Sequence, residues 1–599
     1  MGSFKQLNTY FARYKWTIVL GTLFLTASNF FLVWIPVFIR RTMDEVGRLG
    51  EDAPRAYADM TEVLFSSEAG WILAENSLYL IGTVLLYGLL LFATRQTLIV
   101  ASRRIEFDLR NDVFGKLLQL PIRFYSRFKP GEVYVRATED VSKVREYFGP
   151  AYMYTVNTVS RMAFIITIMF IVSPELTLWA LLPLPLLSAF AYWVSGYIND
   201  YSRIIQEQYS AIAGRANESF SSIRLIKAYT REEYEKQRFE DESESYRRKK
   251  LRLDLVESLF HPTLNLLIGL SVVIVVWKAG SMVMEGILTV GNIAEFVIYV
   301  AYLTWPVASL GYTVNRFQQS MASWKRIRDI LNADVEIADR TATDHSVESL
   351  EGAIAFEGVS FKYPGAEEWA LRDISIEIGA GQNAAIVGRT GSGKTTLIQL
   401  LPRLYEATRG TIRVDGRDIQ EIPLRVLRAH IGYVPQDTFL FSETIGENIA
   451  FGTGEATQQE VERAAAKAQV RENILDFEKK FETILGERGI TLSGGQKQRT
   501  AIARALIRDP KIIILDDSLS AVDTKTEEAI LQHLRRELEG RTTLMVSHRI
   551  STIKDADIIY FMEEGQIVEK GTHEYLLGKN GRYSAMYNKQ LIEEELAEI

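Results

Sequence analysis

The sequence predicts a multidomain membrane protein, in which an all-α transmembrane domain of six helices with long helical extensions is followed by an α/β domain. Two observations carry this prediction. Nearly all the long apolar stretches fall in residues 1–320, and from about residue 353 the pattern changes to short β-rich runs separated by turns and helices. A chain of 599 residues also exceeds what one core accommodates. We therefore assign the transmembrane domain to 1–320, a linker to 321–352 and the second domain to 353–599.

The composition narrows the classes of function. The formal net charge of −7 gives no sign of the basic surface that a nucleic-acid partner needs, so no such partner is expected. Cysteine is absent, which excludes disulfides, thiolate metal sites and cysteine nucleophiles. The first fifteen residues lack the short apolar core of a signal peptide, and we expect the membrane spans themselves to direct insertion.

Six apolar stretches are long enough to cross a bilayer, which takes about 20 residues, whereas apolar helices buried in a soluble core seldom exceed about 14. Most of the nine tryptophans lie in or near these stretches, as interface belts require. The predicted spans are 16–39, 78–100, 151–172, 176–198, 263–284 and 293–314.

The loops between the spans set the orientation. Residues 40–77 carry four arginines, no lysine and eight acidic residues, whereas residues 101–150 carry ten Lys or Arg against seven acidic residues. The positive-inside rule places 101–150 in the cytoplasm, and with six spans both termini lie there too. The inner connections, 101–150 and 199–262, are long and helical in composition, so we expect stalks below the membrane that hold a short crossing helix against the cytoplasmic domain. The alternative is a separate soluble insertion, although neither loop is long enough for its own core.

Two arginines, Arg95 and Arg161, lie inside apolar spans. Because charge inside the membrane is costly, each should have a partner or a use. One hypothesis is that at least one of them faces an inward cavity and meets anionic or polar cargo. The alternative is that the long side chains reach the lipid headgroups.

The second domain contains a complete phosphate-binding loop between the apolar strand 384–387 and the helical run 396–404. Its glycines let successive backbone N–H groups curve around phosphate oxygens. Lys394 can reach the β- and γ-phosphates of a nucleotide, and the Thr395 hydroxyl can hold Mg²⁺. The loop runs Gly388, Arg389, Thr390, Gly391, Ser392, Gly393, Lys394, Thr395.

Two further strands are expected to deliver polar residues to the same edge of a parallel sheet. The run 511–515, which is continuously apolar after Lys511, leads to Asp516, and the run 542–546 leads to Ser547 and His548. Open α/β sheets bind their ligands at the carboxyl ends of such strands. Asp516 therefore suits a Mg²⁺ ion, and His548 suits a γ-phosphate contact.

A second glycine-rich helix start, Ser493-Gly494-Gly495-Gln496, precedes the helical run 497–507 and predicts a second anion site. One nucleotide does not need two cradles. The simplest explanation is that the second cradle serves a nucleotide bound to another copy of the domain.

The segment Leu492–Gln496 resembles the signature of the ATP-binding cassette (ABC) family, and it occurs here together with the P-loop and Asp516. From about residue 10 to 590 the chain is similar to a half-transporter of the exporter class. The resemblance implies an α/β P-loop nucleotide-binding domain, ATP hydrolysis coupled to export, ATP and Mg²⁺ as cofactors, and function as a dimer in a bacterial cell membrane with the nucleotide-binding domain in the cytoplasm.

The resemblance also implies roles for individual residues. Tyr363 would stack on adenine, Gln436 would sense Mg²⁺ and the attacking water, Asp523 would bridge to the other cassette, and His548 would contact the γ-phosphate. The expected ATP-binding residues are Tyr363, the P-loop from Gly388 to Thr395, Thr396, and, for the opposite site, Ser493, Gly494, Gly495 and Gln496. The expected metal-binding residues are Thr395, Gln436 and Asp516, and the catalytic ones Asp517, His548 and Gln436.

Two positions depart from the family pattern. Behind Asp516 the family has glutamate as general base, where this chain has Asp517, and Ile484 stands where a glutamate is usual ahead of the signature. Aspartate is one methylene shorter, which sets the carboxylate back by roughly 1 Å, a misplacement that can cost about 10²-fold in rate. In this family, such an aspartate marks the weak site of transporters built from two different half-chains.

The sequence therefore favours a heterodimer with a non-identical half-transporter that carries the glutamate. A homodimer that tolerates aspartate through a small backbone shift is the alternative, as an exporter or a lipid flippase. An ATP-gated channel or regulator on the same fold is less favoured, because about thirty residues of linker lead straight into the cassette. Spans rich in Phe, Tyr, Leu and Met suit hydrophobic or amphipathic cargo such as drugs, lipids or peptides, although most of these residues are expected to face lipid or other helices.

Overall fold

The computed structural model describes residues 2–52, 68–128, 130–486, 489, 492–517, 533, 534 and 536–598. The contacts within the chain divide it into two compact units. The first unit comprises residues 1–118 and 130–333, and the second comprises residues 119–129 and 334–599. The first strand of the second unit begins at Ile354, close to the boundary at 353 that the sequence suggests.

The described elements of the first unit are helices. Three five-residue π-helical turns, at Arg95–Ile99, Arg136–Asp140 and Tyr147–Ala151, continue the helices on either side of them. The helices up to residue 331 are α1 (Gly2–Arg13), α2 (Lys15–Asp52), α3 (Glu68–Thr94), α4 (Val100–Gln119), α5 (Ile122–Arg127), α6 (Pro130–Val135), α7 (Val141–Glu146), α8 (Tyr152–Val172), α9 (Pro174–Leu181), α10 (Leu184–Ser221), α11 (Ile223–Ala228), α12 (Glu232–Met284) and α13 (Val290–Leu331).

Five helical stretches of the described residues are long and apolar enough to cross a membrane, and they contain five of the six predicted spans. The remaining span, 176–198, is divided between α9 and α10 with Leu182 and Pro183 between them, so the count of six stays a prediction. The five stretches are Lys15–Arg48, Gly70–Gln119, Pro130–Val172, Glu232–Met284 and Val290–Leu331.

The helices continue well beyond the apolar spans. Helices α10 and α12 are 38 and 53 residues long, and together with α11 they make the inner connection 199–262 helical almost throughout. At a rise of 1.5 Å per residue, α12 extends about 80 Å, more than twice the thickness of a hydrocarbon layer. The expected helical extensions are therefore present.

The spans of the first unit pack around an apolar core. Val33 of α2, Ile165 of α8, Val275 of α12 and Phe296 of α13 are fully or almost fully buried in one cluster. Because these side chains come from four helices, the cluster fixes how the helices lie against one another within the unit.

Below the predicted spans, the helical extensions are tied by a buried carboxylate. Asp140 is almost fully buried and accepts hydrogen bonds from the Arg326 guanidinium at 2.6 and 2.7 Å and from the Ser323 hydroxyl at 2.9 Å. Burial raises the pKa of Asp140, but the hydrogen bonds from Arg326 and Ser323 outweigh it and leave the pKa below its ordinary value. The carboxylate therefore stays charged and holds the π-helical turn Arg136–Asp140 against α13.

The second unit contains two sheets. A four-stranded antiparallel sheet has the order β2-β1-β4-β5, and a six-stranded sheet has the order β10-β9-β3-β8-β7-β6, in which only the edge strand β10 is antiparallel. The strands are β1 (Ile354–Phe361), β2 (Leu371–Ile378), β3 (Asn383–Val387), β4 (Arg409–Val414), β5 (Arg417–Asp418), β6 (Ile431–Val434), β7 (Ile512–Asp516), β8 (Thr542–Val546), β9 (Ile558–Glu563) and β10 (Gln566–Gly571).

Helices cover the six-stranded sheet, so its central strands are buried on both faces. Successive side chains of β3 belong to different clusters: Ala384 and Ile386 to one, Ala385 and Val387 to another. This is why these strands read as continuous apolar runs in the sequence. The helices are α14 (Lys394–Leu400), α15 (Leu424–Ala429), α16 (Ile445–Ala450), α17 (Gln458–Lys467), α18 (Arg471–Leu475), α19 (Gly494–Leu506), α20 (Ile550–Ile553), α21 (His573–Gly578) and α22 (Arg582–Glu598), with a 3₁₀ turn at Lys480–Glu482.

One short helix from the first half of the sequence belongs to the second unit. Helix α5 lies in the segment 119–129, and its Arg123 forms an ion pair with Glu336 at 3.1 Å. A cavity of about 280 Å³ lies elsewhere in this unit, and a smaller one of about 220 Å³ is lined by Pro121 and Arg123 together with Phe361 and Tyr405. The expected crossing helix is therefore present and packs on residues of the second unit.

Candidate functional site

The order of the parallel strands brings four loops to one edge of the sheet. From β3 through β8 and β7 to β6, neighbouring strands run parallel, so their carboxyl ends lie side by side. These ends lead into Gly388, Ser547, Asp517 and Pro435 respectively. The sheet therefore collects the P-loop, His548, the acidic pair Asp516–Asp517 and Gln436 along one edge, where α/β sheets bind their ligands.

The P-loop passes through a space that only glycine fits. A Cβ atom on Gly388 would lie 2.1 Å from the carbonyl oxygen of Met562, and one on Gly393, whose φ is +100°, would lie 2.7 Å from the carbonyl oxygen of Ala370. At Gly391, with φ of +84°, nothing lies within 4 Å of that position. The loop is thus held against β9 and the start of β2 on one side, while its middle faces open space that a ligand can fill.

Lys394 is held inside this loop. Its side chain is 5% exposed, and its ammonium donates hydrogen bonds to the carbonyl oxygens of Gly388 at 2.8 Å and Arg389 at 2.9 Å. Burial lowers the pKa of Lys394 to about 8, against the opposing charges of Asp517 and Asp516. The ammonium is therefore charged at neutral pH, but nearby negative charges do not offset the effect of its burial. An anion bound beside the ammonium would stabilise it.

Asp516 and Thr395 form a hydrogen-bonded pair at this edge of the sheet. Thr395 Oγ1 donates a hydrogen bond to Asp516 Oδ1 at 3.2 Å, and Asp516 is 1% exposed. Among the described residues, Asp516 Oδ2 and the neighbouring Ser392 hydroxyl are buried without a hydrogen-bond partner. Burial, helped by the charge of Asp517, raises the pKa of Asp516 to about 6. Buried polar atoms are normally satisfied, so these two oxygens call for a further partner.

Asp517 directly follows β7, and His548 lies two residues beyond β8, the strand between β7 and the P-loop strand β3. Asp517 has a left-handed backbone with φ of +46°, and its N–H donates to the carbonyl oxygen of Val546 at 2.8 Å. His548 is half-buried, and burial together with the charge of Lys394 lowers its pKa, so the imidazole is neutral at pH 7. Because β3, β8 and β7 run parallel side by side, both residues lie at the same edge of the sheet as Lys394.

Tyr363 lies beside the P-loop helix. Its hydroxyl and the Thr396 hydroxyl are 2.9 Å apart, and its ring packs edge-on against Phe361 and Tyr405 with ring centroids 4.9 and 5.5 Å away. Thr396 is itself buried in α14. The ring is therefore fixed near the nucleotide loop by contacts on two sides. Gln436, two residues beyond β6, is exposed at the same edge.

The second glycine-rich segment begins another helix. Ser493 caps α19: its hydroxyl accepts from the N–H of Gln496 at 3.3 Å, and the Gln496 side chain accepts from the N–H of Ser493 at 2.9 Å. Ser493 and Gly494 are exposed, whereas Gly495 is buried. The hydrogen bonds that the structure gives Ser493 and Gln496 are made within the start of this helix. The exposed N-terminus of α19 therefore faces away from the unit. Asp523, the expected bridging residue, lies outside the described residues.

One contact at the edge had no signal in the sequence. Gln590 of α22 donates from its side-chain amide to the carbonyl oxygen of His548, and its amide oxygen accepts from the N–H of Ile550 at 2.9 Å. The C-terminal helix thus holds the backbone on either side of Arg549. A lone glutamine on a helix carries no pattern, and only the fold brings it to this loop.

The comparisons with known proteins can now be set beside this geometry. The family model described as ABC transporter transmembrane region matches residues 18–307, and the one described as ABC transporter matches residues 371–520. YheI of Bacillus subtilis, a probable multidrug resistance ABC transporter ATP-binding/permease protein, is 35% identical over 592 residues, 98% of this chain and 97% of that protein. MdlA of Escherichia coli, a multidrug resistance-like ATP-binding protein, is 33% identical over 100% of this chain and 98% of its own length.

A solved structure agrees as well. A bacterial Atm1-family ABC exporter with ATP bound superposes with a TM-score of 0.75 and 27% identity, over 97% of this chain and 99% of that one. The chain joins a helical membrane domain to an α/β domain with a phosphate-binding edge, and each domain matches a family model. This arrangement is that of an ATP-driven transporter. The chain belongs to the ABC transporter family, as an exporter-type fusion of transmembrane and nucleotide-binding domains. It is a multi-pass membrane protein whose cytoplasmic domain hydrolyses ATP to drive export.

Proposed function

We propose that this chain is one half of a heterodimeric exporter of hydrophobic or amphipathic compounds, and that its own P-loop holds the weakly hydrolysing ATP site. The observation that carries the proposal is Asp517 in place of the longer glutamate behind Asp516. A general base must come within about 2.6–3.2 Å of the water it activates. A carboxylate set back by roughly 1 Å loses that contact, at a cost of about 10²-fold in rate.

The backbone of Asp517 supports this proposal over the homodimer. A homodimer would need the chain to shift so that the shorter side chain still reached the water. The N–H of Asp517 is bonded to the carbonyl oxygen of Val546, and its φ is already left-handed at +46°, an uncommon conformation for a residue other than glycine. The residue is therefore joined to β8 by this hydrogen bond, and a compensating shift would have to strain it.

The remaining site residues take roles that their positions suit. The phosphates of ATP would replace the carbonyl oxygens of Gly388 and Arg389 as partners of the Lys394 ammonium, and the backbone N–H groups of residues 388–395 would surround them. His548, neutral and close to Lys394, would donate to the γ-phosphate. Tyr363 would present its ring to adenine.

The oxygen atoms at the edge also fit Mg²⁺. Mg²⁺ prefers oxygen ligands, and Thr395, Asp516 and Gln436 offer a hydroxyl, a carboxylate and an amide oxygen on neighbouring loops. The second carboxylate oxygen of Asp516 is buried and lacks a partner among the described residues, as expected of an atom that faces a cation. When bound, the ion would neutralise charge on the phosphates.

The signature segment completes the division of labour. In ABC dimers the signature of one chain faces the nucleotide of the other, so Ser493, Gly494, Gly495 and Gln496 would complete a site whose P-loop and glutamate belong to a partner chain. The cap of α19 is intact and exposed in this chain, as a contribution to the partner's site requires. The intact signature segment of this chain would thus serve the site that hydrolyses ATP, and Asp517 would remain in the site that hydrolyses it slowly.

The experiment compares three substitutions in the assembled transporter. Asp517→Ala should reduce transport only modestly, because the site it touches contributes little turnover. Ser493→Arg should abolish transport, because a bulky cation at the start of α19 blocks closure over the productive site. Asp517→Glu should increase hydrolysis at this chain's site. Equal, complete loss of transport in Asp517→Ala and Ser493→Arg would show that this site is productive and contradict the proposal.

A further inference from the structure

Arg161 occupies a built polar cluster in the middle of the membrane domain. It lies on α8, and its guanidinium Nε donates to the side-chain oxygen of Asn29 on α2 at 3.4 Å. Asn29 is 1% exposed, and its amide nitrogen donates to Asn157 Oδ1 at 2.9 Å and Ser160 Oγ at 2.7 Å. The amide nitrogen of Asn29 is therefore hydrogen-bonded to two residues of α8, and its amide oxygen is oriented toward Arg161. We call these four residues the Arg161 cluster.

The predicted depth of this cluster argues against the alternative that Arg161 reaches the lipid headgroups. Arg161 is ten residues from one end of the predicted span 151–172 and eleven from the other, or about 15 Å along the helix in either direction. Asn29 is ten residues from the nearer end of the span 16–39. An arginine side chain does not cover that distance, and its bond to Asn29 holds it at the depth of the cluster.

Among the residues that the structure describes, the positive charge of Arg161 has no anionic partner. In the described part of the chain no carboxylate oxygen lies within 4.0 Å of its guanidinium. The residue is half-buried, and the hydrogen bond that the structure gives its guanidinium uses Nε. A charge at this depth is costly and is normally paired, so a transient anionic partner would account for its presence.

Aromatic rings lie beside the cluster. Phe30, next to Asn29, packs edge-on against Phe164, one turn beyond Arg161, with ring centroids 5.8 Å apart. Phe30 is 44% exposed. The cluster is thus flanked along both α2 and α8 by aromatic side chains, which suits a molecule with an anionic group and an apolar tail.

We infer that the Arg161 cluster is the binding subsite for the anionic headgroup of an amphipathic substrate, with the guanidinium bonded to the anion and the rings of Phe30 and Phe164 against its apolar tail. This inference rests on the proposed export of amphiphiles and adds the charge of the preferred cargo. Carboxylate, sulfonate and phosphate groups share this chemistry, since each offers two oxygens to a guanidinium.

Arg95 supplies the matched control. It also lies in a predicted span, but in the π-helical turn Arg95–Ile99, five residues from the inner end of span 78–100, and its side chain is exposed. It can reach the headgroup region, so the inference assigns it no role in substrate binding. Arg95→Gln and Arg161→Gln remove the same charge from the same domain.

The experiment measures stimulation of ATPase activity by two soluble amphiphiles with the same alkyl chain, N-dodecanoyl taurine and dodecyltrimethylammonium, below their micellar concentrations. The assembled transporter is held in neutral phosphatidylcholine nanodiscs. The wild-type transporter should respond at lower concentrations to the anion. Arg161→Gln should raise the half-stimulating concentration of the anion about tenfold, the loss expected for a hydrogen bond to a charged group. It should leave the response to the cation unchanged, and Arg95→Gln should match the wild type for both.

A second arm replaces phosphatidylcholine with phosphatidylglycerol. If a lipid headgroup occupies the subsite, the anionic lipid should compete with the taurine compound in the wild type but not in Arg161→Gln. Arg161→Lys keeps the charge without the planar fork and should retain part of the preference, which checks that the variants fold. An equal loss of response to anion and cation in Arg161→Gln, or no loss, would overturn the inference. A wild-type transporter that neither moves nor responds to any amphiphile would instead contradict the proposed export function.

Discussion

Lys394 has partners in the structure that a nucleotide would displace. Its ammonium donates to two carbonyl oxygens of the P-loop itself, Gly388 and Arg389, inside an almost fully buried pocket. Neutral carbonyls compensate a buried charge less well than phosphate oxygens do, and the lowered pKa of Lys394 records this. The residue is therefore poised to exchange these partners for the β- and γ-phosphates.

Replacing Lys394 tests this description. Lys394→Ala should lower the affinity of this chain for ATP by roughly 10–100-fold, because charge-assisted hydrogen bonds to the phosphates are lost. Photolabelling of this chain with an azido-ATP analogue measures the affinity. Lys579→Ala, which removes an exposed lysine from the same unit, is the control. Labelling of Lys394→Ala at the wild-type concentration of nucleotide would refute the assignment.

Whether a residue's position could be predicted depends on whether the residues that determine it are close to it in the sequence. The P-loop, Asp516 and His548 could be predicted because a strand followed by a glycine turn or a polar residue is written in consecutive positions. The reason for Gly388 could not, because its nearest neighbour is the carbonyl oxygen of Met562, which is remote in the sequence. The left-handed backbone of Asp517 was equally hidden, since it depends on the hydrogen bond to Val546 of another strand.

The helices and strands of the second unit lie close to where the sequence predicts them. Their ends are set by residues that are near one another in the sequence. The helix after the signature begins at Gly494 because Ser493 and Gln496 form a reciprocal cap, a pattern of nearby residues. Strand β7 ends at Asp516, as its apolar run indicates. The last helix, α22, differs: its existence is local, but its contact with the loop after β8 depends on the tertiary fold.

The contact of α22 with that loop leads to a prediction about Gln590. Gln590→Leu should speed amide hydrogen exchange at Ile550 by up to about tenfold, the effect of losing one hydrogen bond, because its N–H then lacks an acceptor. The strand residues of β8 should exchange as before. Mass spectrometry of exchanged peptides makes the measurement, and Lys589→Ala, at the exposed neighbouring position, is the control. Unchanged exchange at Ile550 would mean that α22 does not hold this loop.

In the helical extensions, the bond between the π-helical turn Arg136–Asp140 and α13 gives a prediction about stability. Asp140→Ala should lower the free energy of unfolding by about 1–3 kcal/mol, because Ser323 and Arg326 lose a buried acceptor. Lys236→Ala, which breaks an exposed pair with Glu233 on α12, is the control. Thermal unfolding of the assembled transporter at pH 7 measures both.

The pH dependence of that deficit follows from the lowered pKa of Asp140. A carboxyl whose folded pKa lies below its unfolded value stabilises the fold fully above the unfolded value, near 4, and loses this effect as the pH falls through the folded value. The difference between wild type and Asp140→Ala should therefore be the same at pH 7 and pH 5. A deficit that disappears between these values would contradict the assignment of Asp140 as a charged tie.

At the scale of the whole molecule, the two-domain order and the class of transporter could be predicted, since apolar length and the P-loop each identify a domain. The fourth span remained uncertain because α9 and α10 divide the apolar stretch 176–198 at Pro183. The identity of the partner is not contained in this chain. Ser493 and Gly494 are exposed at the start of α19, and the proposal assigns the site that they would complete to a second chain.

The central claim is that this chain keeps ATP at a weak site and completes a productive site in a different chain. The most direct test follows single-turnover hydrolysis of radiolabelled ATP, photo-crosslinked separately to each chain of the purified transporter. Nucleotide attached to this chain should remain predominantly ATP, while nucleotide attached to the partner is converted to ADP. This chain purified alone should show little coupled ATPase activity. If this chain alone assembles into a dimer that exports at full rate, with both sites converting ATP to ADP at the same speed, the account is wrong.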